Sequence, residues 1–253
     1  MMSMRRIALD WLTRLLPDAR RVGKWMLPAR RLRLCGSEFK DDNYYIQSAE
    51  MEAGRVISEF GVTQSTPLLD VGCGVGRLPL GLVSRLGEVS HYRGIDVSTV
   101  AIRWCKKYIE AFHPGVQFTI VNVHNSRYNP AGTKAEHDFR LPFQDEEFVV
   151  IYLYSVFSHM IEEDARQYLR EFRRILKSNG RVFITAFLEE NVPPFVENPI
   201  DYKMKWGGPL HCVRYEKGHF AKLVQESGFK MDRLEHGVET DGQSGVYLSC
   251  ASS

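Results

Sequence analysis

The stretch Pro67-Leu68-Leu69-Asp70-Val71-Gly72-Cys73-Gly74-Val75-Gly76-Arg77 constrains this chain more than any other part of it. A short apolar strand runs straight into a glycine-rich turn, and a helical pattern follows. Glycine at 72 and 74 lets the backbone turn sharply and approach a ligand closely, because no Cβ intervenes. The next helix presents its N-terminal amides and positive dipole end to that ligand. A second strand, Tyr92-Arg93-Gly94-Ile95, ends in Asp96, whose carboxylate can accept from both hydroxyls of a ribose. The combination predicts a site for a nucleoside.

A dinucleotide turn reads G-x-G-x-x-G. Here the pattern is G-x-G-x-G, and the position of the third glycine is Arg77. Asp70, just ahead of the turn, would repel a pyrophosphate yet suits the cationic amino-acid end of S-adenosylmethionine. At this point the chain resembles the class I S-adenosylmethionine-dependent methyltransferases, whose first motif looks like Leu69 to Gly76. Leu141-Pro142-Phe143-Gln144-Asp145-Glu146-Glu147-Phe148 is similar to the family's stretch before its fourth strand, here Phe148 to Tyr154. Tyr168 to Gly180 resembles the helix and glycine stop ahead of strand five. The likeness covers residues 46–253, with two departures: Val149 stands where the family has Asp, and Asn122 where an acidic residue follows strand three. It implies S-adenosyl-L-methionine as cofactor. Gly72, Cys73, Gly74, Gly76 and Arg77 would form its turn, Asp70 would neighbour the aminoacyl end, and Asp96 and Val97 would hold the ribose. Asn122 and Val123 would flank adenine, and Ser155 would stand at the end of the fourth strand.

The rest of the chain alternates apolar strands with amphipathic helices. Helices are expected over 49–60, 78–86, 161–177 (stopped at Gly180) and 219–227, with another capped by Ser98. Strands are expected over 116–123, 181–188, 230–236 and 245–250, the last two as an antiparallel pair. Such alternation winds right-handed into an open sheet. The expected class is α/β, a Rossmann-like, doubly wound, mainly parallel seven-stranded sheet with a terminal antiparallel pair and an N-terminal helical extension. Residues 1–45 would form that basic extension, and 46–253 the catalytic domain, with a substrate lid inserted at 189–215.

Hydrophobic and charged contents of 44% and 25% are ordinary for a globular enzyme. Five cysteines at irregular spacings give no disulfide framework and no paired metal knuckle. No apolar run approaches the ~20 residues that span a bilayer, and charges interrupt the N-terminus where a signal peptide would be apolar. A cytoplasmic location is expected. Residues 1–36 carry nine Lys/Arg against two acidic residues, whereas the remainder carries 24 basic and 29 acidic. Ile7, Trp11, Leu12, Leu15 and Leu16 recur at helical spacing among those charges. Such a helix can pack as a cap on the acidic body, lie on an anionic membrane or glycolipid surface, or grip an acidic partner, including a second copy. No RNA-binding signature accompanies it, so nucleic acid is not the expected partner.

Loops beyond the strand ends decide the acceptor. His159 follows the fourth strand within Ser155-Val156-Phe157-Ser158-His159-Met160. A hydroxyl acceptor benefits from a general base, and a histidine with an ordinary pKa near ~6.5 is competent at neutral pH; the same residue could instead cap or orient the next helix. His211, in the Pro-rich and aromatic insertion with Phe195, Tyr202, Trp206 and Tyr215, is the second candidate base. The polar loop Asn125-Ser126-Arg127-Tyr128-Asn129-Pro130-Ala131-Gly132, together with the segment around His159, resembles bacterial methyltransferases of sugar, glycolipid and natural-product hydroxyls. The expected activity is therefore O-methylation of a sugar-like small molecule. N- or C-methylation of a small metabolite or lipid, and a catalytically silent cofactor-binding module, stay open as alternatives. Asp145-Glu146-Glu147 and the scattered histidines lack ligand spacing, so no metal is expected.

Overall fold

The computed structural model describes residues 18–134, 139–202, 205 and 207–251. The amphipathic helix expected over 7–16, and Trp206, lie outside the described residues.

A small hairpin comes first, β1 (Ala19–Val22) against β2 (Trp25–Pro28). Helix α1 (Asp42–Phe60) follows, capped by Asp41, whose side chain accepts from Tyr44 N, and closed by Gly61 at φ 65°. The central sheet takes in β3 (Leu68–Val71), β4 (Tyr92–Asp96), β5 (Val116–Ile120), β6 (Phe148–Leu153), β7 (Leu176–Glu189), β10 (Phe229–Glu235) and β11 (Ser244–Cys250), in the order β10-β11-β7-β6-β3-β4-β5. Strands β5, β4, β3, β6 and β7 run parallel, and β11 and β10 close one edge antiparallel. All four residues of β3 are buried, as a central parallel strand covered on both faces requires. Helices α2 (Arg77–Leu86), α3 (Thr99–Cys105), α4 (Glu162–Ile175) and α5 (Lys217–Glu226) supply the covering layers. Apolar residues pack into one core around β6, β7 and α4 and another beneath α1 to α3. The strand order reverses between β3 and β6, and a ligand crevice opens at such a switch point.

The seven-stranded path agrees with the expectation, but the insertion adds two strands. β8 (Phe195–Glu197) pairs antiparallel with β9 (Val213–Glu216), and β9 runs parallel to the end of β7, Phe187–Glu189. Helix α4 also ends differently. Its chain turns extended at Leu176 (φ −86°, ψ 134°) with no glycine cap, because the buried Leu176 side chain belongs to the core. Gly180 instead lies where the β6–β7 register shifts, between the pairs Phe148–Leu176 and Val150–Arg181.

The boundary at residue 45 falls within α1, and the described part of the extension consists of the hairpin, the short helical turns Arg30–Leu32 and Glu38–Lys40, and the start of α1. Trp25 and Leu27 of the hairpin pack with Phe39, Tyr45 and Ala49. Arg33 is buried, donating to the Pro28 and Phe39 carbonyls and pairing with Asp42 at 2.8 Å. Trp104 Nε1 of α3 donates to the Asp18 carbonyl at 2.8 Å. These ties were invisible in the basic composition of the segment, because each joins it to residues distant in sequence. Deleting residues 1–33 should therefore lower the melting temperature and weaken nucleoside binding, as differential scanning calorimetry and isothermal titration would show. An unchanged core would mean that the hairpin contributes nothing to the fold.

Candidate active site

A cavity of about 620 Å³ opens over the C-terminal ends of β3, β4 and β6. Its floor is the glycine turn. Gly72 has φ +71°, and a Cβ there would come within 2.5 Å of Val156 Cγ2, so only glycine fits. Gly74, at φ +52°, faces open space instead. The turn is pinned by its own amides: Gly72 N and Cys73 N donate to the Ile95 carbonyl, and Gly74 N donates to Asp96 Oδ2 at 2.8 Å.

Asp96 thus has a structural task besides any ligand. Its other oxygen, Oδ1, accepts from Ser98 N at 2.7 Å, fixing the start of α3. Burial pushes the carboxyl's pKa up, while the amides of Ser98, Gly74 and Val97 oppose that rise. It borders the cavity with lone pairs to offer a ribose. Asp96→Ala should weaken cofactor binding by about 1.5–3 kcal/mol in calorimetry, the worth of lost hydrogen bonds to a charged group. Unchanged affinity would remove Asp96 from the ligand.

Asp70 is buried in the cavity wall and accepts from the Tyr92 hydroxyl. Burial raises its pKa to about 7, the Tyr92 bond holding it down and Glu52 adding to the rise. Arg77 occupies the third-glycine position without crowding the turn. Its guanidinium pairs with Glu52 of α1 and lies 4.4 Å from the Phe39 ring centre and 4.9 Å from that of Tyr154.

Of the residues expected around a cofactor, Asp70, Gly72, Cys73, Gly74, Arg77, Asp96, Val97, Val123 and Ser155 all border the cavity. Gly76 and Asn122 do not. Gly76 (φ +72°) packs behind the turn, where a Cβ would sit 2.4 Å from Ile109 Cδ1. Past the end of β5 at Ile120, Val121 and Val123 turn to the cavity while Asn122 turns outward. There the Asn122 side chain accepts from Asn129 Nδ2 and its carbonyl from Thr133 N, contacts that hold it in the polar loop and away from the cavity. Ser155 sits at a left-handed φ of 56°, unusual for a side-chain-bearing residue. Thr185 Oγ1 accepts from its amide, and Gln243 Nε2 donates to its hydroxyl.

Another part of the cavity wall is assembled from three segments. Asn125 folds the polar loop, its Oδ1 accepting from Arg127 N and Tyr128 N while its Nδ2 donates to the His159 carbonyl. His159 is the last residue of a short helical turn, Phe157–His159, and α4 begins behind Ile161 with no side-chain cap. His159 therefore makes no capping bond to α4. Instead its Nδ1 lies 2.9 Å from the Leu210 carbonyl of the insertion. A carbonyl only accepts, so Nδ1 carries the proton and Nε2 keeps the lone pair. Burial pushes this imidazole's pKa down to about 4, with Arg127 and His211 adding to the fall and the Leu210 bond opposing it. The Tyr128 ring meets it edge-on at 5.4 Å.

His211 also borders the cavity, but its Nδ1 accepts from Gly207 N at 2.7 Å, so the neutral ring carries its proton on Nε2. Burial and Arg127 lower its pKa. The insertion is tied down by Arg127 to the Gly207 carbonyl, Tyr202 to the Asp241 carbonyl and Tyr215 to the Met160 carbonyl. Its aromatic residues differ in fate: Tyr215 is core, Tyr202 packs on the cavity residue Phe187, and Phe195 is exposed.

Sequence reasoning named no site role for the Arg31–Ser37 wall, Glu52, Asp164 and Gln243, nor for Tyr154 at the end of the expected fourth strand, all of which border the cavity. Among the described residues, no cluster of three or more His, Cys, Asp or Glu could hold a metal ion.

Residues 69–184 match a family model described as a methyltransferase domain. An arsenite methyltransferase of Mus musculus is 28% identical over 188 residues, 72% of this chain and 47% of that protein. An uncharacterized protein of Haemophilus influenzae is 28% identical over 177 residues, 69% of this chain and 62% of its own length. The chain thus spans half to three fifths of the length of these curated relatives. Among solved structures, magnesium protoporphyrin IX methyltransferase from Synechocystis, with bound S-adenosylhomocysteine, superposes with a TM-score of 0.57 at 13% identity, covering 88% of this chain and 92% of that one. That likeness shows the fold.

Proposed function

We infer that this chain is an S-adenosylmethionine-dependent methyltransferase whose acceptor is a hydroxyl of a small polar molecule such as a sugar or a glycolipid headgroup. The methyltransferase-domain match and the shared fold support the reaction. The cavity residues fit the cofactor: a glycine turn open at Gly74, a carboxylate at Asp96 for a ribose, and Asp70 for an ammonium. When bound, S-adenosylmethionine supplies an electrophilic methyl group on a sulfonium.

The hydroxyl reading rests on His159. Its Nδ1 proton is committed to the Leu210 carbonyl, so Nε2 is a lone-pair acceptor for a hydroxyl proton. With a pKa near 4 the ring is neutral throughout the physiological range but a weaker base than a histidine of ordinary pKa. The support for the reading is geometric: an unprotonated Nε2 on a residue that borders the cavity. Tyr128, Arg127, Asp164, His211 and Asp241 surround the same opening with polar groups, an environment suited to a polyhydroxylated acceptor. Their task is alignment, since displacement at a methyl carbon needs nucleophile and leaving group in line.

The test is calorimetric titration with S-adenosylmethionine and S-adenosylhomocysteine, followed by mass-shift profiling of glycans and glycolipids incubated with isotope-labelled cofactor. A gain of one methyl on a hydroxyl supports the reading. A shift confined to amines, or to arsenic(III) as the mouse relative's name would suggest, overturns the acceptor class, because such lone pairs need no base. Nucleoside binding with no transfer across the panel would favour a silent module.

A further inference from the structure

Residues from three neighbouring strands close a ring of hydrogen bonds at the cavity. Ser155 follows β6, Thr185 lies in β7, and Gln243 stands just ahead of β11. Ser155 N donates to Thr185 Oγ1 at 2.7 Å, and Thr185 Oγ1 donates to Gln243 Oε1 at 2.7 Å. Gln243 Nε2 then donates to Ser155 Oγ at 2.8 Å. The direction of the ring follows from the chemistry of its members. A backbone amide only donates, so Thr185 accepts from it and keeps its own proton to give. Thr185 is wholly buried, and a buried hydroxyl proton needs an acceptor, which the carbonyl end of Gln243 provides. The amide end of Gln243 is therefore turned to Ser155. It too only donates, so the Ser155 hydroxyl accepts there and its own proton has no taker within the ring.

Ser155 is partly exposed, at a left-handed φ of 56°, and it borders the cavity together with Gln243. Gln243 has a fixed base: its carbonyl accepts from Glu239 N, and Glu239 pairs with Arg55 of α1 at 2.6 Å. We propose that Ser155 gives its hydroxyl proton to an oxygen of the methyl-accepting molecule, with Thr185 and Gln243 as the residues that position it. The proposal rests on the transfer reading above. The order of the sheet sets this donor apart from the nucleoside. Asp96 ends β4 on one side of β3, whereas β6, β7 and β11 lie on the other. The ring faces the insertion instead: Tyr202 packs on Phe187 of β7 and donates to the carbonyl of Asp241, in the turn that carries Gln243. An acceptor that brings a lone-pair oxygen here, as a sugar's ring oxygen or second hydroxyl would, is favoured over one that brings only apolar surface.

Neutron diffraction from deuterium-exchanged crystals loaded with S-adenosylhomocysteine reads the proton directly. The expected map puts the Ser155 deuteron toward the cavity and the Gln243 amide deuterons toward Ser155; a Ser155 deuteron on Gln243 would overturn the proposal. The glycan and glycolipid panel is then run with labelled cofactor on the wild type, Ser155→Gly and Gln243→Glu. Glycine accepts the left-handed φ but has no hydroxyl. A carboxylate at 243 keeps the shape yet only accepts, so it draws the Ser155 proton into the ring. Both variants should raise the KM of the methylated acceptor about tenfold, with kcat changed less and calorimetric affinity for S-adenosylmethionine within about twofold of wild type. Weaker cofactor binding at unchanged KM would give the proton to the cofactor and overturn the assignment, as would a wild-type KM in Gln243→Glu. If that variant does not fold, Ser155→Gly and the deuteron position decide. Transfer confined to an amine would sink the hydroxyl reading, while the same KM comparison on that amine still decides Ser155. With no transfer to any of the panel, the transfer reading loses its support and the deuteron position alone decides the donor.

Discussion

Replacing His159 by Asn should lower kcat by about 10²–10⁴ while melting temperature and cofactor affinity stay near wild-type values. Asn can donate an amide hydrogen toward the Leu210 carbonyl and so preserve the tie between the β6 loop and the insertion, but it cannot take up a proton. The wild-type rate should be flat from pH 8 down to about 5, because the imidazole's pKa is near 4. Only as pH falls toward 4 does the base become protonated and the rate drop. An acidic limb centred near 6.5 would point to a different, more exposed group. Near-normal turnover by the Asn variant would transfer the role to His211 or remove the need for a base.

Asp70→Asn should separate stability from binding in opposite directions. The folded-state pKa of Asp70 is raised to about 7 from an ordinary value of 3.8. Its contribution to stability is therefore fully present below pH 3.8 and is lost as pH rises through 7. The loss amounts to about 4 kcal/mol when the shift is converted at 1.36 kcal/mol per unit, an upper bound for a buried carboxyl. Asn has no proton to lose and can still accept from the Tyr92 hydroxyl. The variant should melt higher than wild type at pH 8–9, with the gap closing toward pH 4, in calorimetric scans without ligand. S-adenosylmethionine should bind the variant at least tenfold more weakly at pH 8, as the ammonium loses its counter-charge. Equal pH dependence in the two proteins would show that Asp70 does not titrate between them.

The glycine turn, Asp96 and the helices with clean apolar stripes were readable because their signals are local. The G-x-G spacing signals the positive φ of Gly72 locally, even though Ile95, Asp96 and Val156, which pin and crowd the turn, lie far along the chain. Asn122 does not line the cavity because the strand expected over 116–123 ends at Ile120, and beyond it Asn129 and Thr133, seven and eleven residues on, hold Asn122 in the polar loop. The setting of Arg77 was not legible because its partners, Glu52, Phe39 and Tyr154, lie far apart in the sequence. The hairpin, the Arg31–Ser37 wall and the pairing of β9 with β7 are products of tertiary packing that composition does not encode. His159 was found by its place after strand four, whereas its depressed basicity depends on burial and on Arg127.

The anchor of His159 is a main-chain oxygen, not a side chain. Side chains along the insertion can therefore diverge without moving the proton from Nδ1 to Nε2, provided the loop keeps its path past Leu210. Descendants of this fold could exchange one acceptor for another by rewriting the insertion's surface, while the same tautomer goes on serving each new substrate.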